Sequence, residues 1–173
     1  MNAKGSSPIW IGTGEQERLG PIWVALSSAG LVAVLMKGTE AALRRHLAPA
    51  EAVINQERTV EAISQIVAYL NGERREFDLP IDWSVLASFH SRVLRIVHAI
   101  PYGQTRTYGE IANELGMTNG ARAVGRANAT NPIPLVIPCH RVVGSDGRLH
   151  GYGGPGGVTT KAWLLQLEGS RLL

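Results

Sequence analysis

A chain of 173 residues, 45% of them apolar, has room for one domain or a small pair around its own core, and its single cysteine excludes an internal disulfide and a cysteine-rich zinc site. A formal charge of +3 favours polyanionic partners only mildly, and the five histidines, at 46, 90, 98, 140 and 150, lack close metal-ligand spacing. No run approaches the ~20 apolar residues of a membrane span, and residues 1–20 lack an uninterrupted apolar signal core, so a soluble, cytoplasmic protein without a bound metal is expected.

Residues 1–18 are polar and glycine-dotted and read as a weakly ordered lead-in. From Leu19 the pattern changes. Ile22, Val24 and Leu26 alternate with their neighbours, Ser27-Ser28-Ala29-Gly30 has turn chemistry, and 31–36 is a continuous apolar run, which together predict a β-hairpin with one well-buried strand. Helical spacing follows over 40–47 and over 59–70, the second through Val60, Ile63, Ile66, Val67 and Leu70 to a stop at Asn71-Gly72. Strands first and helices after make an N-terminal α+β domain over 19–79, in which no catalytic group is evident. A linker at 80–87, anchored by Pro80, leads to a mainly helical domain over 88–173, so the fold class expected for the whole chain is α+β.

The second domain opens with a helix at 88–99 that puts Phe89, Val93, Ile96 and Val97 on one side. Thr107-Tyr108-Gly109-Glu110 is a capping box for a helix continuing through Ile111, Ala112 and Leu115. Gly116 to Gly120 is a turn, and 121–129 is a second short helix, which is the layout of a helix-turn-helix. Many helical hairpins never meet nucleic acid. Here Ala121, Ala123, Gly125 and Ala127 allow close backbone approach to a phosphate or groove wall, and Arg122 and Arg126 add charge four positions apart. Between 101 and 148 the arginines at 106, 122, 126, 141 and 148 face only Glu110, Glu114 and Asp146, so the basic excess falls in this domain.

Cys139 stands in Pro138-Cys139-His140-Arg141, after an apolar segment, 133–137, that reads as a short buried strand bounded by prolines. A lone cysteine is most often a small core hydrophobe. Its place beside a histidine at the end of a rigid segment points instead to a nucleophile, which needs a base or a cation because a free thiol is only a few per cent ionised at neutral pH. On a strand His140 would face away from the thiol, so it could act directly only if the chain bends or a water bridges the two. Glu168 is a candidate to orient the imidazole. Residues 142–147 read as a turn-rich hairpin, and the five glycines among 151–157 as a loop around Tyr152 that lets backbone amides reach a flat ligand. Thr160 is expected to cap a closing amphipathic helix over 162–168.

The segments Ile100-Pro101-Tyr102-Gly103, Ala121-Arg122-Ala123-Val124-Gly125, Asn131-Pro132-Ile133-Pro134 leading to Ile137-Pro138-Cys139-His140-Arg141-Val142, and Lys161-Ala162-Trp163-Leu164-Leu165 through Glu168-Gly169 resemble, in this order, the O6-alkylguanine-DNA alkyltransferases. Leu19-Gly20-Pro21 and Gly30-Leu31-Val32 are similar to that family's opening hairpin. The resemblance implies a DNA repair protein that flips O6-alkylguanine, chiefly O6-methylguanine, out of double-stranded DNA and moves the alkyl group irreversibly to Cys139, once per molecule, with no cofactor. It further implies that His140 is the base acting through a water, that Glu168 fixes the imidazole and that Asn131 braces the segment. Tyr108 and Arg122 would open the duplex, and the second helix, presenting Ala121, Ala123 and Gly125, would enter the minor groove. Val142, Tyr152, Gly153 and Pro134 would line the guanine pocket of a protein working as a monomer.

Gly153 departs from the family pattern, which has a small hydroxyl residue there, and the loop to Lys161 is about two residues longer, so the range of O6 adducts is open. Two other classes fit part of the pattern. A lesion-sensing module of related fold flips the base without repair but lacks the cysteine, and a cysteine hydrolase using Cys139, His140 and Glu168 would turn over repeatedly.

Overall fold

The structure, a computed structural model, describes residues 8–170. Strands β1 (Ile9–Gln16), β2 (Gly20–Ser27), β3 (Gly30–Met36) and β4 (Ala52–Ile54) form a sheet in the order β3-β2-β1-β4, antiparallel except for the β1–β4 pair. Two helices, α1 (Glu40–Leu47) and α2 (Gln56–Leu70), complete the N-terminal unit. The mainly helical part has α3 (Ser88–His98), α4 (Tyr108–Glu114), α5 (Ala121–Ala129) and α6 (Val158–Leu167), with the two-residue strands β5 (Arg106–Thr107) and β6 (Val142–Val143) paired in parallel.

Part of the expected lead-in is ordered structure: residues 9–16 are β1, an inner strand of the sheet, while residues 1–7 lie outside the described residues. The two glycines that made this stretch look irregular have a packing reason. A Cβ on Gly12 would overlap Thr59 and one on Gly14 would overlap Ile63, so the missing side chains are what let α2 lie close on β1.

One apolar core joins the two halves of the chain. Ile22, Val24 and Val34 of the sheet, Ile66 and Tyr69 of α2, Val93 and Val97 of α3, Val124 of α5 and Leu164 of α6 belong to the same buried cluster. The other sheet face has a smaller cluster around Ile11, Ala25, Ala33 and Leu43, covered by α1. Strand β3 stands at the edge of the sheet but is not left open. The Leu31 N–H donates to the Pro80 carbonyl at 2.8 Å, the Asp82 N–H donates back to Leu31 at 3.0 Å, and the Val34 N–H donates to Pro132 at 2.9 Å. The residues expected as a linker and the segment leading to Cys139 therefore both lie against this edge.

Candidate active site

The thiol sits on a turn rather than at the end of a strand. Residues 133–137 make no ladder beyond an isolated Pro134–Ile137 bridge, Leu135 adopts φ 74°, and Cys139–Arg141 is one turn of 3-10 helix. Prolines at 132, 134 and 138 remove the N–H groups that a strand would need, which is why the expected strand does not form. Asn131 supplies the missing bonds: its Nδ2 donates to the Ile137 carbonyl at 2.8 Å and its Oδ1 accepts from the Ile133 N–H at 3.0 Å. With the Ile137 N–H donating to Ile133 at 2.9 Å, the turn is closed from inside, and Cys139 is held 6% exposed. Burial pushes the thiol pKa up, against the opposing pull of the Asn131 amide and the Lys161 cation.

Behind the cysteine, His140 is fully buried, with Nε2 2.7 Å from Glu168 Oε1 and 3.2 Å from Tyr69 Oη. Tyr69 comes from α2, in the unit where no catalytic group was expected. Burial and the neighbouring carboxylate keep its phenol neutral, and its single proton is donated to Glu168 Oε1. Both oxygens facing Nε2 thus act as acceptors, so Nε2 carries the proton and Nδ1 keeps its lone pair. Nδ1 is buried and has no protein partner among the described residues. Burial lowers the His140 pKa despite the pull of Glu168, so the ring is neutral at neutral pH.

Glu168 is the hub of this cluster. Burial alone would raise its pKa, but His140, Arg141 and Tyr69 together hold it down at about 2. Arg141 donates Nε to Oε2 at 3.0 Å and Nη2 to Oε1 at 3.0 Å, and the Gly103 N–H donates to Oε2 at 3.0 Å. Such a fully satisfied buried carboxylate is a fixed point against which the imidazole is oriented.

In front of the cysteine lies a cavity of about 520 Å³, within the usual range for a small-molecule site. Ala121, Arg122, Gly125, Asn128 and Ala129 form one wall at helical spacing along α5, and Tyr108, Tyr152 and Gly153 form others, with Cys139 also lining the space. A second cavity of about 440 Å³ shares Cys139, Asn128, Ala129 and Gly153 with the first and extends between Pro132, Pro134 and the β3–α1 side of the sheet. Lys161, 0% exposed, stitches the far wall. Its Nζ donates to the carbonyls of Val142 at 2.6 Å and His150 at 3.1 Å and lies 3.3 Å from Tyr108 Oη. Desolvation lowers its pKa to about 8, so the buried cation persists at neutral pH.

Of the site residues read from the sequence, Tyr108, Ala121, Arg122, Gly125, Cys139, Tyr152 and Gly153 meet around one cavity. His140 and Glu168 stand behind the thiol, and no direct hydrogen bond joins thiol and ring among the described residues. Asn131 and Pro134 line the second cavity, whereas Val142 is buried and presents its carbonyl to Lys161. Ala123 lines neither cavity. The basic excess also shrinks in the fold, because Arg141 is buried on Glu168 and Arg106 pairs with Glu114 at 2.7 Å, leaving Arg122 and Arg126 exposed on α5. Thr160 lies inside α6, which begins at Val158 after Gly157 rather than at a threonine cap. Val142 and Val143 pair with β5, not with a hairpin partner. Sequence reading missed Tyr69, Arg141, Lys161 and Asn128 as parts of the site. Only burial of their polar atoms reveals them, and a tyrosine among α2's apolar positions carries no such mark.

Residues 88–170 match the family described as 6-O-methylguanine DNA methyltransferase, DNA binding domain, and residues 16–83 match its ribonuclease-like domain. A methylated-DNA–protein-cysteine methyltransferase of Methanosarcina acetivorans is 42% identical over 153 residues, 88% of this chain and 94% of that relative. One of Mycobacterium bovis is 50% identical over 110 residues, 64% of this chain and 65% of the relative, so that alignment spans just under two thirds of the relative's length. Among solved structures, Mycobacterium tuberculosis OGT in complex with DNA superposes with a TM-score of 0.77 at 37% identity, covering 92% of both chains.

Proposed function

Because this chain belongs to the 6-O-methylguanine DNA methyltransferase family, we propose that it repairs double-stranded DNA by moving the alkyl group of O6-alkylguanine, chiefly O6-methylguanine, onto Cys139. The observation that carries this reading is the position of the thiol. It lines a cavity whose wall is the exposed face of α5, and it is backed by a buried, oriented, neutral histidine. An O6-alkyl group inside a duplex is out of reach, so the nucleotide must be extruded, at a cost of a few kcal/mol that is lower when pairing is already damaged. Arg122 is exposed on α5 at the cavity mouth, suited to fill the vacated place in the stack, and small residues at Ala121 and Gly125 let the helix approach the minor groove closely. Tyr108, which Lys161 holds at 3.3 Å, presses on the backbone beside the extruded nucleotide.

The chemistry follows from the protonation states. The Cys139 proton passes through a bound water to the free Nδ1 of His140, and Glu168 stabilises the imidazolium that forms. The sulfur attacks the alkyl carbon, a C–S bond forms as the C–O6 bond breaks, and the electron pair leaves on the purine. The neutral phenol of Tyr108, kept protonated by burial, and the amides of the glycine loop can stabilise that anion. A thioether cannot be reversed by thiol exchange, so each molecule acts once, and since one chain supplies both the cavity and the groups behind the thiol, it acts as a monomer.

A titration of protein against duplex carrying labelled O6-methylguanine tests this. We expect one label per chain, no transfer but retained DNA binding for Cys139→Ala, and weakened flipping for Arg122→Ala. More than one turnover per chain, as a cysteine hydrolase shows, or equal loss of DNA binding in both variants, would contradict the assignment.

A further inference from the structure

Resting on that reading, we infer that Asn128 reads the Watson–Crick edge of the extruded base and separates alkylated from unmodified guanine. Asn128 lies three residues beyond Gly125 on the cavity face of α5 and lines both cavities, as Cys139 does. It is 5% exposed, yet neither Nδ2 nor Oδ1 has a hydrogen-bond partner among the described residues. A buried carboxamide with both ends unsatisfied is unfavourable in the empty site and gains by pairing when a polar ligand enters.

The chemistry of that ligand fits an amide. Alkylation at O6 removes the N1 proton of guanine, so the edge next to the reacting oxygen offers an acceptor at N1 beside a donor at the 2-amino group. Unmodified guanine offers two donors there. Asparagine presents one donor and one acceptor side by side, so Nδ2–H to N1 and 2-amino N–H to Oδ1 complete a pair with the alkylated base that the normal base cannot match. Sites that hydrogen-bond a substrate group discriminate strongly against the analogue lacking it, because their own buried polar atom is then left unpaired.

The test is single-turnover transfer by the full chain from duplexes carrying O6-methylguanine or O6-methylhypoxanthine, which lacks the 2-amino group. The wild-type protein should favour O6-methylguanine by roughly tenfold or more. Asn128→Leu, similar in volume, loses both the donor to N1 and the acceptor for the 2-amino group, so it should slow transfer from both duplexes, and from O6-methylguanine by more, collapsing the preference. Asn128→Asp keeps the acceptor and loses the donor, so it should retain the preference for the 2-amino group while transferring more slowly from both. Equal wild-type rates on the two duplexes, or a preference that survives in Asn128→Leu, would overturn the inference. Absence of transfer from either duplex by the wild-type protein would instead overturn the proposed reaction.

Discussion

At the scale of single residues, Glu168 sets the protonation of everything behind the thiol. Its carboxylate accepts from Tyr69, His140, Arg141 and the Gly103 amide, and His140, Arg141 and Tyr69 overcome burial to hold its pKa at about 2, against an ordinary 4.5. The unfolded chain therefore takes up this proton first as pH falls. Stability from this group is complete above about pH 4.5 and is lost progressively down to about pH 2, an effect on the order of 3 kcal/mol. Glu168→Gln should flatten that part of an acid-unfolding curve. It should also destabilise the protein by about 3 kcal/mol or more at neutral pH, since Arg141 is then buried without its counter-charge. Chemical denaturation at several pH values measures both, and an unchanged acid limb in the variant would contradict this role.

At the scale of elements, the glycine loop after Tyr152 and the end of α5 fit against each other with no space for a side chain. A Cβ on Gly153 would overlap the carbonyl oxygen of Ala129, a backbone atom that cannot swing aside. Gly153→Ala should therefore shift the loop, cost about 1–3 kcal/mol in stability and slow alkyl transfer, all readable from unfolding curves and transfer rates on the same preparation. A variant as stable and as fast as the parent would show that the loop yields freely. The helical elements were legible in the sequence because their signals are local: apolar spacing in α3, the Thr107–Glu110 capping box of α4, and the small-residue run of α5. Strand β1 and the turn at 133–137 were not. Gly12 and Gly14 owe their identity to α2, far along the chain, and the turn is closed by the Asn131 side chain instead of by a backbone ladder.

At the scale of the whole molecule, the N-terminal unit takes part in the site. Tyr69 crosses from α2 to His140 and Glu168, and the Val34 N–H on β3 holds the Pro132 carbonyl at the start of the cysteine turn. Nothing in the sequence marks this link, because a buried tyrosine on a helix is ordinarily core and its partners stand 71 and 99 residues away. Tyr69→Phe keeps the ring and removes one hydrogen bond to a carboxylate, so it should cost about 2 kcal/mol of stability. It should also leave more negative charge on Glu168, raise the His140 pKa and move the acid limb of the transfer rate to higher pH. A loss of stability with an unmoved pH profile would reduce Tyr69 to packing alone.

Alkyl transfer turns on the fate of one sulfur atom. Peptide mass mapping after incubation with excess O6-methylguanine duplex follows that atom: transfer should leave a single methyl group per chain, carried by Cys139, and restored guanine in the DNA. An unmodified Cys139 peptide beside intact lesion, or a methyl group on any other residue, would contradict it.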